Sequence, residues 1–122
     1  MARRILEADD SDTVRRVLRK YLIQRNFEVC GEAIDGEDVI EQARKLKPDL
    51  VLLDVAMPRT NGVVAASVLK DMLPEIRIVM FTMYSEAIAR AFPGTWLTVD
   101  AVVPKAEGMT KLAECVQGLL GT

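Results

Sequence analysis

Apolar residues along this chain switch repeatedly between a strand-like and a helix-like spacing. Arg3 to Ala8 reads as a short strand. Behind it, Val14, Val17, Leu18, Tyr21 and Leu22 recur at the i, i+3, i+4 spacing of one helical face, with Ser11 and Asp12 placed as N-caps. Phe27 to Ala33 predicts a second strand. Val39, Ile40, Ala43 and Leu46 then mark a helix behind Asp35-Gly36, which Lys47-Pro48 stops. Leu50-Val51-Leu52-Leu53 is a continuous apolar run, as a parallel strand covered on both faces requires. A third helix carries Val64, Ala65, Val68, Leu69 and Met72 on one face and ends near Pro74. Ile76 to Phe81 is a fourth strand, and Tyr84, Ala87, Ile88, Ala91 and Phe92 predict a fourth helix cut off by Pro93-Gly94. Val99 to Val103 supplies a fifth strand, and Met109, Leu112, Ala113, Val116, Leu119 and Leu120 a closing helix.

Five strands alternating with five helices imply right-handed crossovers and an α/β fold, a doubly wound parallel sheet with helices on both faces. No linker, repeat or low-complexity tract interrupts the 122 residues, so a single domain over 1–122 is expected. Half of the residues are apolar and 28% are charged, ordinary for a globular protein. The net charge of −2 argues against a DNA-wrapping or membrane-surface protein. No apolar run is long enough for a membrane span and Met1-Ala2-Arg3-Arg4 opens no signal sequence, which leads to a cytoplasmic expectation. Histidine is absent, excluding a Ser-His-Asp triad, a His-ligated zinc and a phosphohistidine. Cys30 and Cys115 share no CxxC spacing and are expected to be buried and reduced.

In open parallel sheets, functional residues gather at the carboxyl ends of the strands. Here the first strand runs into Asp9-Asp10, the third ends on Asp54, the fourth on Thr82, and Lys105 follows the fifth. The second strand offers Glu32 and Asp35, which are less telling. Converging carboxylates about 4 Å apart repel by about 4 kcal/mol per pair at an effective dielectric near 20. A raised pKa on one member or a bound cation resolves this. The oxygen-only ligands favour Mg²⁺ before Ca²⁺. A nucleophilic oxygen, a metal, a hydroxyl and a lysine are the parts that phosphoryl transfer needs.

Asp9-Asp10, the stretch Pro48-Asp49-Leu50-Val51-Leu52-Leu53-Asp54-Val55-Ala56-Met57-Pro58 with Asn61-Gly62, Thr82 and Lys105 together resemble the receiver domain of bacterial two-component response regulators, over essentially the whole chain. The resemblance implies a CheY-like, flavodoxin-like (βα)5 sheet with strand order 2-1-3-4-5. It makes Asp54 the phosphoacceptor for a sensor histidine kinase. Asp10, Asp54, the Ala56 carbonyl and, through water, Asp9 would hold Mg²⁺. Thr82 and Lys105 would bind the phosphoryl group, and Pro58 and Gly62 would shape the loop. Phosphorylation would switch the surface of the fourth helix, fifth strand and fifth helix toward an output domain, a partner protein or a homodimer. Phe81-Thr82-Met83 and Val14-Arg15-Arg16-Val17-Leu18 resemble the branch that carries a helix-turn-helix output domain, which these residues do not include. Direct nucleic-acid or membrane contact is not expected, nor is an enzymatic role beyond self-catalysed phosphoryl transfer and dephosphorylation.

Several positions depart from the family pattern. Pro104 precedes Lys105, and Val102 replaces an aromatic switch residue. Glu7 occupies a strand position that is normally apolar, so edge exposure or a shifted strand is expected there. Val102 and Trp96, with Leu97, are expected on the output surface. Two rival readings remain: a docking module that is never phosphorylated, and a phosphatase of the haloacid-dehalogenase type using Asp10 and Asp12 of Asp10-Ser11-Asp12-Thr13-Val14.

Overall fold

The computed structural model describes residues 3–57, 61–83, 90, 94 and 99–121. Five strands, β1 (Arg4–Ala8), β2 (Glu28–Ala33), β3 (Leu50–Leu53), β4 (Arg77–Thr82) and β5 (Ala101–Pro104), form one sheet in the order β2-β1-β3-β4-β5. Every pairing is parallel. The described helices are α1 (Asp12–Gln24), α2 (Gly36–Leu46), α3 (Gly62–Met72) and α4 (Gly108–Leu120), with a 3₁₀ turn at Lys105–Glu107. The fourth helix expected over 84–92 lies outside the described residues.

Alternation along the strands divides the core in two, because successive side chains point to opposite faces. Leu6, Ala8, Val51, Leu53, Ile78 and Met80 pack with Val39, Ala43, Ala65, Ala66 and Leu69 on the α2–α3 side. Ile5, Leu50, Leu52, Val79, Phe81 and Val103 pack with Leu18, Leu22, Leu112, Val116 and Leu120 on the α1–α4 side. Side-chain caps start three of the helices. Ser11 Oγ accepts from the Val14 amide at 3.2 Å, Asp35 Oδ1 from Asp38 at 2.8 Å and Asn61 Oδ1 from Val64 at 3.0 Å.

Several expectations need correction. Glu7 is not on an edge: it lies on β1, between β2 and β3, and is fully buried, and the register of β1 on β2 shifts just before it, between Ile5 and Leu6. Val17 is 47% exposed, because α1 meets the sheet through Leu18 and Leu22 and leaves Val17 at the solvent margin. Val64 and Val68 also face solvent, since α3 turns its small residues Ala65 and Ala66 inward with Leu69 and so approaches closely. Cys30 and Cys115 are half-buried, and burial raises both thiols above the ordinary value.

β5 starts two residues later than the apolar pattern predicts. Asp100, just before it, takes the Ile78 amide at 2.8 Å and Lys70 Nζ at 3.0 Å, with Arg77 at 3.3 Å. Burial alone would raise this carboxyl, but these donors hold it below its ordinary value. The clamp sets the register of β5 on β4, in which Thr82 stands beside Pro104.

Candidate functional site: an acidic cluster at the strand ends

Register brings the polar residues together. Ala8 pairs with Leu53, and Leu53 with Met80, so Asp9 and Asp54 are the first residues beyond two adjacent strands. The Asp54 amide donates to the Ala8 carbonyl at 2.9 Å and the Asp9 amide to Ala33 at 3.1 Å, which fixes both backbones. One carboxylate oxygen from each of Asp9, Asp10 and Asp54 lies within 4.8 Å of the others. Asp9 and Asp54 are buried; Asp10 is exposed at the mouth.

Lys105 enters this cluster from the end of β5. Its Nζ lies 2.8 Å from Asp9 Oδ2 and 3.4 Å from Asp54 Oδ2, and 6.0 Å from the centre of the Phe81 ring. Pro104 therefore does not displace it: Pro104 is the last residue of β5, and the turn that follows aims Lys105 back over the sheet end. Desolvation alone would lower the ammonium pKa, but the hydrogen bond to Asp9 and the charge of Asp54 raise it overall. Burial, with the Asp9 charge added, raises Asp54 against the opposing pull of Lys105 and the Ala56 amide, whose nitrogen lies 3.4 Å from Asp54 Oδ1. Thr82 is fully buried at the end of β4.

Gly62 opens α3 hard against the acceptor strand. A Cβ there would lie 2.4 Å from the Asp54 carbonyl oxygen and 2.8 Å from Val55 Cα, so only glycine fits without moving backbone. Its amide donates to Val55 at 3.1 Å, closing the loop that begins at Asp54. Pro58 and Trp96 lie outside the described residues. Val102 is half-buried in β5 and packs against the α2–α3 core. Asp12 is not part of the cluster; it sits in the first turn of α1, where Arg15 and Arg16 hold its carboxylate.

Sequence reasoning attached no role to Arg15. Its side chain is only 12% exposed; Nη1 donates to the Asp9 carbonyl at 2.6 Å and Nε reaches Glu32 Oε1 at 3.3 Å. Its signal in the sequence is a cation just behind an acidic pair and beside the apolar positions of a helix. Glu7 lies fully buried on β1, and neither of its carboxyl oxygens has a hydrogen-bond partner among the described residues. Desolvation, with Glu32 nearby, raises its pKa to about 8 against the pull of Arg19 and Arg15.

A family model described as the response regulator receiver domain matches residues 5–117. The chain belongs to the response regulator receiver family. It is 37% identical over 120 residues to the response regulator protein VraR of Staphylococcus epidermidis, covering 96% of this chain and 56% of that protein. The receiver thus spans about half the length of the curated relatives it matches. Its fold is similar to that of the response regulator TrrA from Thermotoga maritima in complex with Mg²⁺ and a beryllium fluoride, with TM-score 0.87 and 29% identity over 96% of this chain and 98% of that one. A CheY-like receiver from Methanospirillum hungatei has the same fold, with TM-score 0.89 and 20% identity over 99% and 95% of the two chains. The flavodoxin-like sheet order of this receiver is the one these relatives lead one to expect. Among the described residues, no helix is long and apolar enough to cross a membrane.

Proposed function

We propose that residues 1–122 act as one phosphoacceptor unit in two-component signalling, with Asp54 as the acceptor. The observation that carries this reading is the buried Asp54 carboxylate, held beside Asp9 and Asp10 and contacted by Lys105 at the carboxyl edge of the sheet. An Asp54 oxygen attacks the phosphorus of a phosphohistidine on a sensor histidine kinase. The phosphorus–nitrogen bond breaks, its electron pair returns to the imidazole, and a phosphorus–oxygen bond forms on Asp54. Lys105 leaves the carboxylates for one phosphoryl oxygen, while the Thr82 hydroxyl donates to another.

The donor set fits a hard divalent ion: all oxygen, two carboxylates buried and one at the mouth, with an ammonium already offsetting their charge. Asp10, Asp54, the Ala56 carbonyl and, through water, Asp9 would hold Mg²⁺, which when bound neutralises phosphoryl oxygens. Gly62 and Pro58 shape the loop that carries Ala56. The response leaves through β5 and the elements flanking it, with Val102 and Trp96 on the output surface, toward an output domain, a partner protein or a phosphorylation-dependent homodimer. The unit is cytoplasmic and touches neither nucleic acid nor membrane itself. In the branch that its motifs resemble, DNA contact belongs to a separate helix-turn-helix output domain.

Incubation with acetyl phosphate and Mg²⁺, followed by intact mass spectrometry, tests the reading. One phosphoryl group should be gained, and neither chelation of the metal nor the Asp54→Asn variant should allow it. An unchanged gain in Asp54→Asn overturns the assignment.

A further inference from the structure

Two acidic residues in a row must be held so that both carboxylates face Asp54, against their mutual repulsion. Besides the Asp9 amide on the Ala33 carbonyl, three contacts hold the Asp9–Asp10 turn. Lys105 Nζ binds Asp9 Oδ2, the Ser11 amide donates to Asp9 Oδ1 at 2.9 Å, and Arg15 Nη1 donates to the Asp9 carbonyl at 2.6 Å. The first is the contact that Lys105 gives up when it turns to a phosphoryl oxygen. The second is local to the turn. Arg15 alone of the three ties the turn to a helix, and this tie does not depend on the state of Lys105.

The fork of Arg15 suits the task. Nε faces Glu32 at 3.3 Å, Nη2 faces Asp12 at 3.1 Å and Nη1 meets the Asp9 carbonyl, so the guanidinium plane is set by β2, α1 and the turn together. Glu32 is itself held by Arg19 at 3.3 Å. We propose that Arg15 is a positioning residue for the cation site, fixing the Asp9–Asp10 turn in its ligating arrangement. This rests on the metal reading of the cluster given above. A lysine at position 15 could reach one of these oxygens but could not span all three, so Arg15→Lys should restore only part of what Arg15→Gln loses.

Two measurements test it: Mg²⁺ titration of the purified protein by calorimetry, and the rate of phosphorylation by acetyl phosphate across a Mg²⁺ series. Losing a charge-assisted hydrogen bond that orders the turn should weaken Mg²⁺ binding of Arg15→Gln by roughly tenfold, with Arg15→Lys between it and the parent. The rate at saturating Mg²⁺ should be unchanged, because Arg15 touches no reacting atom. Arg16→Gln removes the same charge one residue away, from a 66% exposed side chain that meets Asp12 but not the turn, and should leave Mg²⁺ affinity as in the parent. Equal Mg²⁺ affinity in parent and Arg15→Gln overturns the proposal. So does an equal loss in Arg16→Gln, which would make the effect one of net charge, or a fall in the saturating rate without a change in Mg²⁺ affinity. If Arg15→Gln does not fold, by thermal unfolding without metal, Arg15→Lys against Arg16→Gln decides in the same way. A parent that binds no Mg²⁺ overturns the metal reading first, and this proposal with it.

Discussion

Replacing Glu7 by Met should make the protein markedly more stable, and more so as the pH rises. Met is unbranched, close to Glu in length and apolar, so it suits the space on β1 without a new cavity. Glu7 is 0% exposed, its carboxyl oxygens lack partners among the described residues, and burial pushes its pKa up to about 8 against 4.5 for a free side chain. Folding near neutral pH must therefore protonate a group that is ionised in the unfolded chain, which costs about 3 kcal/mol at pH 7 at 1.36 kcal/mol per unit. Between the two pKa values the native state binds more protons than the unfolded state, so this contribution lowers stability as the pH rises through the window and levels off above about 8, near 5 kcal/mol. Below about 5 it fades to under 1 kcal/mol. Urea unfolding of parent and Glu7→Met, followed by circular dichroism at several pH values across this window, reads the difference directly. The gap should widen by about 3 kcal/mol between mildly acidic and mildly alkaline solution. A gap that stays constant with pH, or a Met variant less stable than the parent throughout, would refute the argument.

Three further outcomes are expected. Lys105→Met should retain Mg²⁺ binding but lose the conformational response to beryllofluoride, read as a change in amide chemical shifts; a parental response would remove Lys105 from the phosphoryl site. Gly62→Ala should lower stability by about 1–3 kcal/mol and slow phosphorylation, because its Cβ meets the Asp54 carbonyl at 2.4 Å and must move the acceptor backbone; unaltered thermal unfolding and rate would contradict this. Mg²⁺ affinity should begin to fall on acidification above the ordinary aspartate range, since burial and Asp9 raise the Asp54 carboxyl that must lose its proton to bind; calorimetry at a series of pH values is the check.

Much of this architecture was legible in the apolar pattern because each strand is short, covered on both faces and punctuated by a cap or a Pro. Leu50 to Leu53 declares a central strand, and the polar residues next along the chain fall at one edge by register alone. Orientation within helices was less legible. Val17, Val64 and Val68 keep the helical spacing, yet the inward face of α3 is chosen by how closely Ala65 and Ala66 let it approach the sheet, a tertiary effect. Glu7 was misplaced for a related reason: a carboxylate at the centre of a sheet contradicts the pattern, and only the pairing of β1 between β2 and β3 reveals that it stays there. Arg15 went unnoticed because, apart from Asp12 three residues before it, its partners are a backbone carbonyl and a glutamate on β2, neither of which has a spacing to read. The delayed start of β5 depends in the same way on the Asp100 clamp.

A phosphoryl group carried by Asp54 is an acyl phosphate, open to reduction by hydride. Treating the acetyl phosphate-labelled protein with borohydride reduces an aspartyl phosphate to homoserine, and peptide sequencing by tandem mass spectrometry then locates the reduced residue. Homoserine is expected at position 54 only, dependent on Mg²⁺. Homoserine at position 9 or 10 instead, or a label that survives reduction unchanged, would contradict the assignment of Asp54.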